Sequence, residues 1–141
     1  MALDVGETRI GVALSDPLGL TAQGLEVIRR KNPEDDLKAV AKLASLHGAT
    51  TVVVGLPRNM NGSSGPSATK AMEFASMARE RTGLEVVTVD ERLTTRQAER
   101  LLISADLSRR KRRMVVDKMA ACLILQSYLD QRARKTPGPA R

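Results

Sequence analysis

Two short runs constrain this chain more than anything else in it. The stretches 50-TTVVVGL-56 and 85-EVVTVD-90 are β-branched and nearly continuous in their apolar character. That is the pattern of strands covered on both faces rather than on one. Each follows a helical pattern. In 32-NPEDDLKAVAKLASLHG-48, Asn32 can cap, Pro33 fits the first helical position, and Glu34, Asp35 and Asp36 complement the positive end of the dipole. Leu37, Val40 and Leu43, with Ala41 and Ala44, form the apolar stripe, and Gly48 ends the helix. A second helix is expected from about Ser67 to Arg81. Buried strands alternating with helices imply βαβ crossovers and a parallel sheet.

The N-terminal part reads differently. After 2-ALDV-5 comes 6-GET-8 as a turn, then 9-RIGVALS-15, in which Ile10, Val12 and Leu14 share one face. This predicts a hairpin, and 20-LTAQGLEVI-28 can add a third, antiparallel strand. Beyond the last strand, Thr94 and Gln97 form a capping box for a helix through Ile103. A final helix is predicted over 110–132. The order βββ-α-β-α-β-α-α gives an α/β fold: a mixed five-stranded sheet, an antiparallel hairpin arm joined to a parallel half, with helices on both faces. That is the arrangement of the ribonuclease H fold. Residues 1–132 are expected to form a single domain and 133–141 a basic, flexible tail. In this sheet the first strand and the last parallel strand are expected near the centre, with their ends close together.

Composition narrows the function. Aromatic residues are 1 % of the chain, which argues against base-stacking platforms built on ring faces. The formal net charge is +7, and it is localised: residues 107–141 carry 10 Lys/Arg against 2 Asp/Glu, while residues 1–106 carry 13 against 14. A local excess of this kind suits a polyanion such as RNA or DNA, although it also serves solubility. One cysteine, Cys122, at helical spacing among Ala120, Leu123 and Ile124, reads as a packed thiol rather than a nucleophile. With one histidine, His47 at a helix end, no histidine- or cysteine-rich metal site can form. No signal pattern and no apolar run of membrane-spanning length is present, so a cytoplasmic protein is expected.

Three acids sit where a carboxylate is structurally unwelcome. Asp4 ends an apolar strand, Glu91 follows another with Val87 and Val89 at period two, and Asp117 lies in an apolar helix one turn before Ala120 and Ala121. A half-buried carboxylate costs several kcal/mol unless paired or metal-bound. Each has an ordinary reading: turn hydrogen bonds for Asp4, ion pairs with Arg92 or Arg96 for Glu91, and with Lys118 or Arg113 for Asp117. Together at the ends of the right elements they suggest a cluster, and oxygen-only ligands select Mg²⁺ or Mn²⁺.

The blocks 4-DVGETRIGVALSD-16, 53-VVGLPRNMNGSSGP-66, 89-VDERLTT-95 and 116-VDKMAACLILQSYL-129 resemble those of the YqgF/RuvX family of RNase H-fold nucleases, in the same order over nearly the whole chain. The first block lies closer to Met1 than is usual there, so either residues before Met1 are expected to be missing or the first strand is expected to be short. The resemblance implies a metal-dependent phosphodiesterase whose acids fall on Asp4, Glu91 and Asp117. It also implies a role in processing the 5′ end of precursor 16S rRNA, or as a Holliday-junction resolvase. A resolvase cuts two strands, which would call for a homodimer.

The expected mechanism is two-metal hydrolysis, with Asp4 bridging both ions and Glu91 and Asp117 completing their shells. Arg9, from the first block, and Arg58, in the glycine-rich loop 58-RNMNGSSGPS-67, are candidate phosphate contacts. Arg109, Arg110, Lys111, Arg112 and Arg113 fall at a helix N-terminus, where cations oppose the dipole. Helix stability does not account for them, whereas phosphate binding does. Asp16 and Asp90 read as structural hydrogen-bonders. The competing reading of another class is a non-catalytic nucleic-acid-binding module. The first block also resembles the phosphate loop of actin/Hsp70-like ATPases, but these need a second domain that 141 residues cannot supply.

Overall fold

The computed structural model describes residues 1–57, 65–90 and 109–135, with side chains placed in the last segment for residues 118–133. Most of the loop expected at 58–67, and the helix expected through Ile103, lie outside the described residues. The elements are β1 (Ala2–Val5), β2 (Arg9–Ser15), β3 (Ala22–Arg29), α1 (Pro33–His47), β4 (Thr51–Leu56), α2 (Pro66–Thr82), β5 (Glu85–Asp90) and α3 (Arg109–Lys135). None of the described helices is long and apolar enough to cross a membrane.

The five strands form one sheet in the order β3-β2-β1-β4-β5. The β1–β2 and β2–β3 pairs are antiparallel, and β4 runs parallel to both β1 and β5. This is the mixed sheet expected, with one correction. β1 is central, but β5 is the edge strand. The hairpin already occupies one side of β1, so the chain returning from α1 takes the other side as β4. The strand after α2 is then added outside β4, parallel to it.

Side chains along each strand alternate between two apolar layers, as the two-residue period requires. Leu3, Ile10, Val12, Val52 and Val54 face α1 and α2, meeting Leu37, Val40 and Phe74. Ala2, Ala13, Val53 and Val89 face α3, meeting Ala121, Ile124, Leu125 and Leu129. The layer under α3 is built on small strand residues, which brings the helix close to the sheet. Gly24 in β3 is the extreme case: a Cβ there would stand 3.1 Å from the Cβ of Lys118.

Two boundaries differ from expectation for local reasons. The third strand begins at Ala22 rather than at residue 20. The Asp16 carboxylate accepts hydrogen bonds from the N–H groups of Leu20 (2.7 Å) and Thr21 (2.8 Å), closing a turn in which Gly19 has φ 71°. The last helix runs to Lys135, past the expected 132. The residues 130-DQRARK-135 are mostly good helix formers and contain nothing that stops a helix.

Candidate active site

Asp4 occupies the third position of β1, the central strand. By alternation it shares the face of Ala2, which lies under α3, while Leu3 points to the opposite layer. Its neighbour across the antiparallel ladder is Gly11 of β2. On the parallel side the register Leu3–Val54 makes Gly55 the next β4 residue along, on the same face as Val53 and therefore facing α3. The half-buried Asp4 carboxylate thus stands on a face where the adjacent positions of both neighbouring strands lack a side chain. Asp4 is partnered, as is Arg9.

Gly55 also separates Asp4 from β5, since Gly55 pairs with Val89. The distance from β1 to β5 is therefore two strand spacings, about 9.6 Å. Val87 and Val89 do face α3, in agreement with their period-two reading. Glu91 itself lies outside the described residues. Asp117 falls within α3, one turn before the fully buried Ala120 and Ala121, but its side chain lies outside the described residues. The same is true of the side chains of Arg109, Arg110, Lys111, Arg112 and Arg113, and Arg58 is outside altogether. Among the described residues, no group of three acidic, histidine or cysteine side chains converges.

Arg9 opens β2 and lies two residues from Gly11, diagonal to Asp4 across the ladder on the same face. Diagonal neighbours of this kind are about 7–8 Å apart, within reach of an arginine. The chain between them, 6-GET-8, is held by a 2.8 Å bond from the Gly6 N–H to the Arg9 carbonyl. A Cβ on Gly6 would meet that oxygen at 2.8 Å, so the turn requires glycine here.

An open cleft of about 970 Å³ wraps this end of the sheet. It runs from Asp4 and the β1–β2 turn to the N-terminal ends of α1 and α2. One wall is braced by Arg30 and Asp36. Arg30 Nε donates to Asp36 at 3.0 Å, its Nη1 donates to the Gly6 carbonyl at 2.8 Å, and its guanidinium lies over the Phe74 ring. The second Asp36 oxygen accepts the Lys31 N–H at 3.0 Å. Asp36 is only 2 % exposed, so it does more than complement the α1 dipole. It ties the strand carrying Asp4, through the turn, to a helix.

The cleft also gathers Arg29, Lys31 and Lys70, none of which was singled out from sequence. Their segment of the chain is nearly neutral in net charge, so composition hides them. The available signal was 29-RRKN-32, directly before a helix cap. Of the remaining acids, Asp16 is the structural hydrogen-bonder expected. The Thr21 N–H, with those of Leu20, Leu18 and Asp16 itself, holds its carboxyl below the ordinary value against a smaller opposing effect of burial. Asp90 ends β5, exposed and partnered. Cys122 is half-buried against the layer under α3 and burial pushes its thiol up, which suits packing and not nucleophilic attack.

Comparison with known proteins follows the same lines. The family model described as RuvX, Holliday junction resolvase, matches residues 1–131. A protein of Carboxydothermus hydrogenoformans named "Putative pre-16S rRNA nuclease" is 54 % identical over 134 residues, covering 95 % of this chain and 97 % of its own. One of the same name from Moorella thermoacetica is 57 % identical over 131 residues, covering 93 % and 94 %. Among solved structures, RuvC of T. thermophilus in complex with a Holliday junction substrate superposes with a TM-score of 0.57 at 16 % identity, over 95 % of this chain and 94 % of that one. The Fowlpox virus resolvase, in complex with junction DNA, does so with a TM-score of 0.51 at 12 % identity, over 92 % and 95 %. At these identities the structures establish the fold, which is RNase H-like.

Proposed function

The chain belongs to the RuvX family, whose members are nucleases, and on that premise we propose that it cleaves the phosphodiester backbone of precursor 16S rRNA near its 5′ end. The observation that carries the reading is the setting of Asp4. A carboxylate on the central strand, flanked on its own face by Gly11 and Gly55, opens into a cleft rich in cations.

Asp4 is the anchoring ligand in this proposal. Glu91 continues the alternation of Val87 and Val89, which face α3, and Asp117 precedes the buried Ala120 and Ala121 by one turn. These three acids would hold Mg²⁺ or Mn²⁺, which as a Lewis acid activates water and stabilises charge developing on the phosphate. The protein's own contribution is positional. The β1–β2 ladder fixes Asp4, Arg9 presents its cation diagonally to it, and the Arg30–Asp36 brace holds the intervening turn. Arg58 and the basic start of α3, Arg109, Arg110, Lys111, Arg112 and Arg113, would grip flanking phosphates.

The family description favours a second substrate, a four-way DNA junction, on which two copies of the chain would have to act together. A single comparison separates the readings: cleavage of precursor-rRNA-like single strands and of four-way junctions, each with Mg²⁺ and Mn²⁺, by the wild type and by Asp4→Asn. The expected result is cleavage of the RNA by the wild type, and loss of cleavage but retained binding in Asp4→Asn. Full activity in that variant would remove Asp4 from the site. Binding without cleavage of either substrate by the wild type would leave a nucleic-acid-binding module.

A further inference from the structure

The cleft around Asp4 holds more cations than the fold accounts for. Arg30 is committed to Asp36 and the Gly6 carbonyl, and Arg81, elsewhere on the surface, is paired with Glu34. Arg29, Lys31 and Lys70 are exposed, line the cleft, and make no ion pair among the described residues. Arg29 is paired in register with Arg9, so two guanidinium side chains stand directly opposite on neighbouring strands and on one face. Like charges so placed destabilise a sheet. With the Arg30–Asp36 pair set aside, the acids that line the cleft beside Arg9, Arg29, Lys31 and Lys70 are, among the described residues, Asp4 and Glu7.

We propose that Arg29, Lys31 and Lys70 form a phosphate-binding track, distinct in sequence from the basic start of α3, that carries a nucleic-acid strand from Asp4 around the end of the sheet. This rests on the nuclease reading for its starting point at Asp4, but its chemistry is backbone recognition alone. The three cations come from the end of β3, the β3–α1 connection and the first turns of α2. Asp36 of α1 fixes the β3–α1 connection, taking both the Arg30 side chain and the Lys31 N–H. A phosphate lying between Arg9 and Arg29 would turn their mutual repulsion into shared attraction. Lys31 and Lys70 would meet later phosphates of the same strand.

The test measures binding of labelled single-stranded RNA by fluorescence anisotropy across a salt series, in EDTA so that no cleavage occurs. The variants are Arg29→Gln, the pair Lys31→Gln/Lys70→Gln, and a control pair of equal charge change, Lys38→Gln/Lys42→Gln, exposed on α1 and outside the cleft. Each lost phosphate contact should reduce the slope of log K against log salt by about 0.7, so the cleft pair should lose about 1.4 and Arg29→Gln about 0.7. The control pair should match the wild type. Circular dichroism melts establish that all the variants are folded. A cleft pair with the wild-type slope and affinity overturns the track, as does a wild type whose binding is insensitive to salt. A wild type that binds with a steep salt slope in EDTA, yet leaves the same RNA intact when Mg²⁺ or Mn²⁺ is supplied, would instead remove the nuclease reading and leave the track in place.

Discussion

Asp4 stands directly opposite Gly11 across the β1–β2 ladder, so the residue paired with a central carboxylate has no side chain of its own. A side chain at residue 11 would project onto the same face, its Cβ about 4.5–5.5 Å from that of Asp4. Gly11→Val, with a residue well suited to a strand, should keep the sheet and crowd the carboxylate. We expect cleavage to fall about 10–100-fold, the range typical when the surroundings of a metal ligand are disturbed, with RNA affinity in EDTA unchanged. Unaltered turnover at unaltered melting temperature would show that the lack of a side chain at residue 11 has no role.

The Arg30–Asp36 pair should matter to stability. Asp36 is 2 % exposed, but the Arg30 side chain is 21 % exposed, so a lone Arg30 could regain some water. Breaking a fully buried pair costs about 3–5 kcal/mol, and partial exposure of one partner reduces that. Asp36→Ala is expected to lose about 2–3 kcal/mol in urea unfolding with an unchanged m-value. Asp36→Asn, which can still accept from the Lys31 N–H, should lose less.

Gly24 sets how closely α3 approaches β3. With a Cβ 3.1 Å from the Cβ of Lys118, Gly24→Val must push the helix outward or bend the strand. Overpacking of this kind costs about 1–3 kcal/mol, and a melting curve of the variant measures it. Lys118→Ala would leave that Cβ in place and should not rescue the variant, whereas Lys118→Gly should recover part of the loss.

Asp16 gives the chain a defined response to acid. Its carboxyl is held below the ordinary value, chiefly by the Thr21 N–H. A group whose folded value is depressed contributes stability that is fully present above its unfolded value and lost as pH falls through the folded one. Asp16→Asn should therefore melt below the wild type at neutral pH, and the gap should narrow once pH drops below about 4. A gap that stays constant from pH 7 to pH 3 would exclude the carboxylate charge as its source.

Much of the architecture was legible because its signals are local. Period-two runs marked the strands, Asn32 and Pro33 marked the start of α1, and Gly48, with φ 66°, marked its end. The Asn32 side chain does accept from the Asp35 N–H, at 2.9 Å. The family blocks singled out Asp4, which the structure sets on the central strand beside the cleft. Each of these features depends on a few consecutive residues, whose backbone preferences and hydrogen bonds act within one turn or one strand.

Strand order, burial of charge and the composition of the cleft were decided only by the tertiary structure. Nothing within 85-EVVTVD-90 distinguishes a central strand from an edge one, because Val86 packs into one apolar layer and Val87 and Val89 into the other even at the edge. Asp36 reads as a helix-start acid in sequence, but Arg30, six residues earlier in the β3–α1 connection, pairs with it. Arg29, Lys31 and Lys70 belong to a stretch of balanced charge, and net charge along a sequence carries no direction in space. Folding sets Arg29 opposite Arg9 and turns the start of α2 toward both, which makes a scattered set of cations into one surface.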